Sequence, residues 1–258
     1  MGISGYIIYK DYEKLKYLGS GTYGTVYQIH DIKDNKIYAI KEIPKGTVKI
    51  KDIKNGVNIL SKFNNESIVK YYGLFYSEFH FIIKMEYCES NLAKFIEDRK
   101  NELINENILY KIVNNICLGI NEIHSKQIIH RDLNPNNIFM NKDYNIKIGD
   151  FGISKICVTT KTDVGTIGYK APELLKGKVE YNNKVDIWAL GCILYELFTL
   201  KKCFCCEDSF EGTINNIIYN DHGKIGEKYN KKWQDIIDLC LKKNYQERPG
   251  IDEICCLI

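Results

Sequence analysis

Two different hydrophobic periodicities divide this chain, and their order constrains the fold more than any other feature of the sequence. From residue 12 to about residue 85, short β-rich runs alternate with Gly, Asn and Asp breaks, and one helical candidate interrupts them at residues 52–63. Beyond residue 92, apolar residues recur at three- and four-residue spacing, which predicts amphipathic helices over residues 92–99, 107–125, 184–199 and 232–241. The sequence therefore predicts an α+β fold in which a small β-rich part precedes a larger helical part, the two joined near residues 86–89.

The composition indicates a globular chain that needs neither disulfides nor metals to form a core. Of the 258 residues, 45% are hydrophobic, and the 36 basic residues nearly balance the 33 acidic ones, so no nucleic-acid partner is expected. The ten cysteines are scattered, which predicts reduced thiols and an intracellular location, cytoplasmic or nuclear. The longest apolar stretch, residues 188–198, contains Glu196 and is too short to cross a bilayer, so no membrane span is expected.

A glycine-rich hairpin is the first motif with chemical meaning. It reads Gly19-Ser-Gly21-Thr-Tyr-Gly24-Thr-Val26, and its glycines allow the backbone to approach phosphate oxygens closely. A strand rather than a helix follows it, which argues against a Rossmann dinucleotide site. In that following region, alternation places Ala39 and Lys41 on one strand face. Lys41 is placed to hold phosphates, although an isolated strand lysine is more often simply solvated.

The second motif is His130-Arg131-Asp132-Leu-Asn-Pro-Asn-Asn137, which lies ahead of a β-rich run. Phosphoryl transfer needs a carboxylate that orients the attacking hydroxyl and accepts its proton, and it needs an oxygen ligand for magnesium nearby. Asp132 suits the first role, and Asn137, five residues further on, suits the second.

The third motif comprises Asp150-Phe-Gly, then Gly165-Thr-Ile-Gly-Tyr169 and Ala171-Pro-Glu173. With these segments in this order, the sequence resembles the eukaryotic protein kinase family of the Ser/Thr type, from about residue 12 to residue 256. The resemblance implies a bilobal protein kinase fold over residues 1–258, with an N-lobe at about 12–86 and a C-lobe at 87–258. Some phrases are similar to stress kinases that act on a translation initiation factor, and others to NIMA-type kinases.

The resemblance also implies the cofactors ATP and Mg²⁺ and the roles of particular residues. The expected catalytic residues are Asp132, Lys41, Asn134 and Thr166. The expected metal ligands are Asn137 and Asp150. Met85 matches the gatekeeper, the main chain of Glu86 and Cys88 is expected to bind adenine, and Val26, Ala39 and Phe139 are expected to enclose the purine. The full set of expected nucleotide-binding residues is Leu18, Gly19, Ser20, Gly21, Thr22, Tyr23, Gly24, Val26, Ala39, Lys41, Met85, Glu86, Cys88 and Phe139.

Regulation by phosphorylation is a further implication of the resemblance. Arg131 directly precedes Asp132, which in the family accompanies control by a phosphate on the activation loop. Thr159, Thr160 and Thr162 are the candidates, and Thr162, three residues before Gly165, is the preferred one. The expected partners are therefore a protein substrate and an upstream activating kinase.

Three positions depart from the family pattern. Gly56 stands where the N-lobe helix should carry the glutamate that pairs with Lys41, and Asp52, one helical turn earlier, is the nearest substitute. Asn134 stands where Ser/Thr kinases carry a lysine that balances charge on the transferred phosphoryl group. Asn136 replaces a glutamate frequent in kinases that prefer arginine near the phosphosite, so a strongly basophilic preference is not expected.

Three functional interpretations remain open on the sequence alone. The favoured one is an active Ser/Thr kinase of reduced efficiency, because Lys41, Asp132, Asn137 and Asp150 are all present. The alternative is an ATP-binding pseudokinase that acts as a scaffold or decoy. A small-molecule kinase that shares the fold is disfavoured, because residues 165–173 resemble a segment that positions a peptide.

Overall fold

The computed structural model describes residues 11–21, 24–99, 102–150, 164–176, 181–205 and 209–258. The described residues form two compact units. The first contains the residues up to Glu89 together with Asp150, and the second contains those from Ser90 to Gly149 and from residue 164 onward. The chain thus passes from one unit to the other at Glu89, and Asp150 lies in the first unit although it follows a long stretch of the second.

The first unit is built on a five-stranded antiparallel sheet with the strand order β1-β2-β3-β5-β4. A single described helix, α1, accompanies it at Ile50–Leu60, which confirms the helix predicted at residues 52–63 but ends it three residues earlier. The strands are β1 (Tyr12–Gly21), β2 (Gly24–Asp31), β3 (Lys36–Pro44), β4 (Tyr71–Tyr76) and β5 (His80–Glu86).

The central strands β3 and β5 divide their apolar residues between two sheet faces. Ile40 and Ile82 belong to a cluster on one face, whereas Ile43 and Ile83 belong to a cluster with Ile53 of α1 on the other. Because side chains alternate along a strand, Lys41 lies on the same face of β3 as Ile43, the face that α1 covers. Lys41 itself is 8% exposed.

The second unit is mainly helical, as its periodicity predicted, and it also contains a small antiparallel sheet with the order β6-β7-β8. Its strands are β6 (Ser90–Asn91), β7 (Ile138–Met140) and β8 (Ile146–Ile148). Its helices are α2 (Leu92–Glu97), α3 (Glu106–Ser125), α4 (Val164–Ile167), α5 (Pro172–Leu175), α6 (Lys184–Thr199), α7 (Phe210–Tyr219), α8 (Lys231–Cys240) and α9 (Ile251–Leu257), with 3₁₀ turns at Pro135–Asn137 and Tyr245–Glu247.

Helix α6 forms the centre of the second unit. It is apolar on nearly all sides, and Trp188, Leu190, Ile193 and Leu194 are fully buried, as expected for a helix surrounded by others. Among the described residues, no helix has both the length and the apolar character that crossing a membrane requires.

A buried ion pair between Glu173 and Arg248 ties the segment of α5 to the turn that precedes α9. Arg248 Nη1 and Nη2 donate to the two carboxylate oxygens of Glu173 at 2.6 and 2.9 Å. The side chain of Arg248 is fully buried and that of Glu173 is 6% exposed. Arg248 also donates to the main-chain carbonyls of Lys242 and Lys184, so its charge is hydrogen-bonded on several sides.

Candidate active site

The glycine-rich hairpin predicted from the sequence is the connection between β1 and β2. Gly21 pairs with Gly24, and a register shift after Tyr17 leaves Leu18 in a bulge. A Cβ atom on Gly24 would lie 2.2 Å from the carbonyl oxygen of Glu42, so only glycine allows β2 to lie this close to β3. Ser20 and Gly21 are the last residues of β1, whereas Thr22 and Tyr23 lie outside the described residues.

Lys41 and Asp150 form an ion pair within the first unit. The Nζ atom of Lys41 lies 2.7 Å from Asp150 Oδ1, with side-chain exposures of 11% and 43%. Asp150 has a φ of 53°. This left-handed conformation is uncommon for residues other than glycine and is often found at functional sites. The structure therefore brings together two of the residues that the sequence assigned to phosphate and metal.

The residues expected to surround adenine lie at defined positions in the strands. Val26 of β2 pairs with Lys41, and Ala39 of β3 pairs with Met85 of β5. Ala39 is buried, and Met85 packs against the apolar cluster that includes Ile53. The expected roles of these residues in binding adenine remain predictions.

The segment after β5 and strand β7 carry the other three expected adenine contacts. The main-chain N–H of Glu86 donates to the carbonyl of Lys70 at 2.8 Å, Cys88 is half-buried, and Phe139 is half-buried in β7. Their roles in binding adenine likewise remain predictions.

Helix α1 shows what occupies the position of the expected glutamate. Gly56 is buried in the helix beside the apolar cluster, and Asp52 is half-buried one turn earlier. The side-chain carboxylate that pairs with Lys41 in the structure belongs to Asp150. A glycine inside a helix costs about 1 kcal/mol relative to alanine, so α1 is held by its apolar contacts rather than by its intrinsic helix propensity.

The loop that contains Asp132 is fixed by a buried aspartate of α6. Asp186 Oδ2 accepts hydrogen bonds from the main-chain N–H of His130 at 2.8 Å and from His124 Nε2 at 2.9 Å, and Oδ1 accepts from the main-chain N–H of Arg131 at 2.8 Å. Burial opposes ionisation of Asp186, but the hydrogen bond from His124 and the neighbouring His130 lower its pKa overall. The carboxylate therefore stays charged and holds the backbone of the loop in place.

The Asp132 side chain is held by groups from its own loop and from a later segment. Asn137 Nδ2 donates to Asp132 Oδ2 at 3.2 Å and to the Asp132 carbonyl at 2.9 Å. Lys170 Nζ donates to Asp132 Oδ1 at 2.8 Å. Both carboxylate oxygens thus have donors, and the rotamer of the predicted base is defined.

Asn134 has a local structural role. Its Oδ1 accepts from the main-chain N–H of Asn136 at 3.0 Å, and its Nδ2 donates to the Asp132 carbonyl at 2.9 Å. It is therefore the N-cap of the 3₁₀ turn that begins at Pro135. Both of these bonds are to the main chain of the loop. The expected catalytic role of Asn134, at the transferred phosphoryl group, remains a prediction.

Arg131 is exposed and adopts a φ of 66°, a conformation that costs energy for a residue with a Cβ atom. Its guanidinium carbon lies 5.3 Å from the centre of the Tyr181 ring. The three threonines expected to be phosphorylated, Thr159, Thr160 and Thr162, lie outside the described residues, so their relation to Arg131 remains a prediction.

Thr166, which was predicted as a site residue, lies in α4 and is half-buried. Two other residues of the second unit, Lys170 and Asp186, were not predicted as site residues, although both contact the loop of Asp132. No local pattern reveals a contact between residues 38 positions apart, whereas a buried aspartate in the apolar pattern of α6 was a visible signal, because a buried charge needs partners.

The donor atoms present fit Mg²⁺ and a nucleotide phosphate. Magnesium is bound through hard oxygen ligands, and Asp150 supplies a carboxylate. The amide nitrogen of Asn137 donates to Asp132, and its amide oxygen is the atom of this side chain that could bind a metal. Lys41 supplies a buried cation for phosphates. A Cβ atom on Gly19 or Gly21 would meet no atom within 4 Å, so the space beside the hairpin backbone is open there. Each unit thus carries its own share of these groups.

Comparison with known proteins identifies protein kinases as relatives of this chain. The family model described as protein kinase domain matches residues 12–257. The chain is 33% identical over 251 residues to the mouse serine/threonine-protein kinase Nek1, covering 94% of this chain and 21% of Nek1. It is 36% identical over 251 residues to zebrafish serine/threonine-protein kinase Nek8, covering 94% of this chain and 36% of that protein.

A third relative is the probable serine/threonine-protein kinase nek2 of Dictyostelium discoideum, 32% identical over 257 residues that cover 94% of this chain and 61% of the relative. The chain thus spans between about a fifth and three fifths of the length of these relatives. The expected resemblance to NIMA-type kinases is confirmed. The chain belongs to the protein kinase family, and its relatives named here are Ser/Thr kinases of the NIMA-related group.

Proposed function

We propose that this chain is an active protein kinase that transfers the γ-phosphoryl group of ATP to serine and threonine hydroxyls of protein substrates. The observation that carries the proposal is the Asp132 carboxylate. It lies in a loop fixed by Asp186, it is half-buried, and Asn137 and Lys170 define its rotamer. A side chain held in this way is suited to orient a hydroxyl group and to accept its proton.

In the proposed reaction, a substrate hydroxyl oxygen forms a bond to the γ-phosphorus of ATP, the bond from that phosphorus to the bridging oxygen of ADP breaks, and the hydroxyl proton passes to Asp132. Lys41 and the backbone of the β1-β2 hairpin would hold the phosphates, and Asn137 and Asp150 would serve as Mg²⁺ ligands. When bound, the metal neutralises negative charge on the phosphate oxygens. The residues of this chain thus act mainly by positioning and by electrostatic stabilisation.

Adenine is held, in the same proposal, by the main chain of Glu86 and Cys88, with Met85 as the gatekeeper residue. Val26, Ala39 and Phe139 enclose the purine. This part rests on the resemblance to protein kinases. Val26, Ala39 and Phe139 lie in β2, β3 and β7, and Met85 and Glu86 end β5.

We propose a reduced efficiency relative to kinases that carry the complete motif set. Gly56 leaves α1 without a carboxylate at the point where the family pairs one with Lys41, and Lys41 is paired with Asp150 instead. The same observation favours the alternative, an ATP-binding pseudokinase that acts as a scaffold or decoy. The presence of Lys41, Asp132, Asn137 and Asp150 together favours catalysis.

The partners proposed are a protein substrate and an upstream kinase that phosphorylates Thr162. The Ser/Thr preference rests on Thr166 in its Gly165-Thr-x-x-Tyr169 context and on the names of the relatives. An intracellular location, cytoplasmic or nuclear, is proposed because the thiols of Cys117, Cys192 and Cys240 are free and buried.

A transfer assay with radiolabelled ATP tests the proposal. Wild-type protein with MgATP and dephosphorylated casein is expected to produce phosphoserine and phosphothreonine, and Asp132→Asn to produce neither. Both proteins should be stabilised thermally by MgATP, because the substitution leaves Lys41 and Asp150 intact. Equal labelling by wild type and variant would refute the assignment, and MgATP binding without any transfer by the wild type would establish the pseudokinase instead.

A further inference from the structure

The loop that carries Asp132 contains no cation between Asp132 and Asn137. A phosphoryl group in transfer carries negative charge, and its movement is favoured by preorganised positive groups near the site of attack. Asn134, at the position that would supply such a group, is a neutral amide whose recorded bonds are to the main chain of the loop. Any positive side chain at this place therefore comes from another part of the chain.

Lys170 lies where that charge is needed. Its Nζ atom donates to Asp132 Oδ1 at 2.8 Å and to the main-chain carbonyl of Arg131 at 3.0 Å. Its side chain is 15% exposed and that of Asp132 is 24% exposed. A surface lysine typically keeps its ammonium group in water, whereas this ammonium group is partly desolvated between a carboxylate and a carbonyl group.

The backbone on both sides of Lys170 is anchored. The hydroxyl group of Tyr169 donates to the carboxylate of Glu196 in α6, both side chains being buried. Burial raises the pKa of Tyr169 and that of Glu196, so the tyrosine remains a protonated donor. On the other side, Ala171 is fully buried, and Glu173 is held by Arg248.

Because the neighbours of Lys170 on both sides are packed into the second unit, the position of its Cα atom is fixed. The side chain itself is 15% exposed. A lysine fixed in this way loses less conformational entropy on binding its carboxylate than an exposed one would.

We propose that Lys170 is a positioning residue for phosphoryl transfer, and that it supplies from the Tyr169–Ala171 segment the positive charge that Asn134 does not supply. It holds one oxygen of Asp132 while Asn137 holds the other, and it places an ammonium group beside the carboxylate that receives the substrate proton. This inference rests on the proposed kinase activity and adds to it the residue that completes the electrostatics of the loop.

The competing role for the same contact is inhibitory. In that case, Lys170 would occupy Asp132 and keep the substrate hydroxyl away, and removing it would accelerate transfer. The two roles predict opposite signs for the same substitution, so activity measurements separate them.

The test removes the positive charge at residue 170 and then restores a positive charge at residue 134. Lys170→Met removes the charge while keeping the length of the side chain, and it is expected to lower kcat on the order of 10- to 100-fold with little change in the KM for ATP. Lys170→Arg, which keeps the charge, should retain most of the activity. Lys176→Met is the matched control, because Lys176 is an exposed lysine six residues further along the chain. This variant should behave like the wild type.

The decisive arm is the double variant Asn134→Lys/Lys170→Met. If the two positions serve one role, Asn134→Lys should raise the kcat of Lys170→Met by about tenfold or more, and by a clearly larger factor than it changes the kcat of the wild type. Melting curves of all variants reveal any loss of folding. Rescue of Lys170→Met by Asn134→Lys would also argue against a folding defect, because the second substitution removes the N-cap at Asn134 and would not restore stability.

Three results would overturn the proposal: a kcat of Lys170→Met equal to that of the wild type, a kcat above it, or an equal effect of Asn134→Lys in both backgrounds. In each of these, the wild type still transfers phosphate in a manner that depends on Asp132, so kinase activity survives and only the role of Lys170 fails. A wild type no more active than Asp132→Asn would refute the kinase activity itself, and the role of Lys170 with it.

Discussion

Replacing Arg248 by alanine should destabilise the second unit severely. The guanidinium group is fully buried, makes two bonds to Glu173, and donates to the carbonyls of Lys242 and Lys184. Removing one partner of a buried ion pair costs about 3–5 kcal/mol, because the other charge remains buried without compensation. At about 2–4 °C for each kcal/mol in a domain of this size, the melting temperature should fall by about 6–20 °C.

Thermal unfolding followed by circular dichroism measures this effect, and two further variants identify its cause. Lys242→Ala removes an exposed side chain but keeps the carbonyl that Arg248 uses, so its melting temperature should match that of the wild type. Glu173→Leu/Arg248→Met removes both charges and should be more stable than Arg248→Ala.

The reasoning fails if Arg248→Ala melts within about 2 °C of the wild type, which is less than the effect of 1 kcal/mol. It also fails in part if the double variant is no more stable than Arg248→Ala. In that event, the lost bonds to main-chain carbonyls, rather than an uncompensated carboxylate, would explain the destabilisation.

Three other measurements test separate parts of the account. A hydrogen bond with Cys117 lowers the pKa of Cys255 to about 7, so alkylation of Cys255 by iodoacetamide should rise with pH through a midpoint near 7, and Cys117→Ala should move that midpoint upward; a midpoint unaffected by Cys117→Ala would contradict the assigned cause. Lys41→Met combined with Asp150→Asn should abolish the thermal stabilisation by MgATP, which at a hundredfold excess over Kd amounts to about 2.7 kcal/mol in the wild type, and an unchanged stabilisation would place the nucleotide elsewhere. Thr162→Ala should lower activity, whereas full activity would remove Thr162 as the regulatory site.

The sequence predicted the main helices well because their apolar periodicity is long. Helix α3 was expected at residues 107–125 and occupies Glu106–Ser125, and α6 occupies the predicted residues 184–199. Helix α1 ends at Leu60 rather than residue 63, since its apolar pattern continues into a turn that α1 does not include. The sheet of β6, β7 and β8 was not predicted as a unit, because strands of two or three residues leave almost no periodic signal.

The candidate site was predictable where chemistry depends on local motifs and unpredictable where it depends on tertiary contacts. Lys41 and Asp150 were each identified from their own motif, but their 2.7 Å contact joins residues 109 positions apart. The capping role of Asn134 could have been read from Asn134-Pro135, because asparagine before proline is a common start of a helical turn. Lys170 gave no such sign, since only the fold brings it to Asp132.

The rate of phosphoryl transfer with and without the Asp132 carboxylate tests the central claim most directly. Single-turnover transfer from radiolabelled ATP should be measured for the wild type and Asp132→Asn at saturating MgATP, so that differences in nucleotide binding do not enter. The account predicts slow but measurable transfer by the wild type and a rate at least about 100-fold lower for Asp132→Asn, the contribution typical of a positioned general base. Equal rates for the two proteins, whether both measurable or both zero, would contradict it.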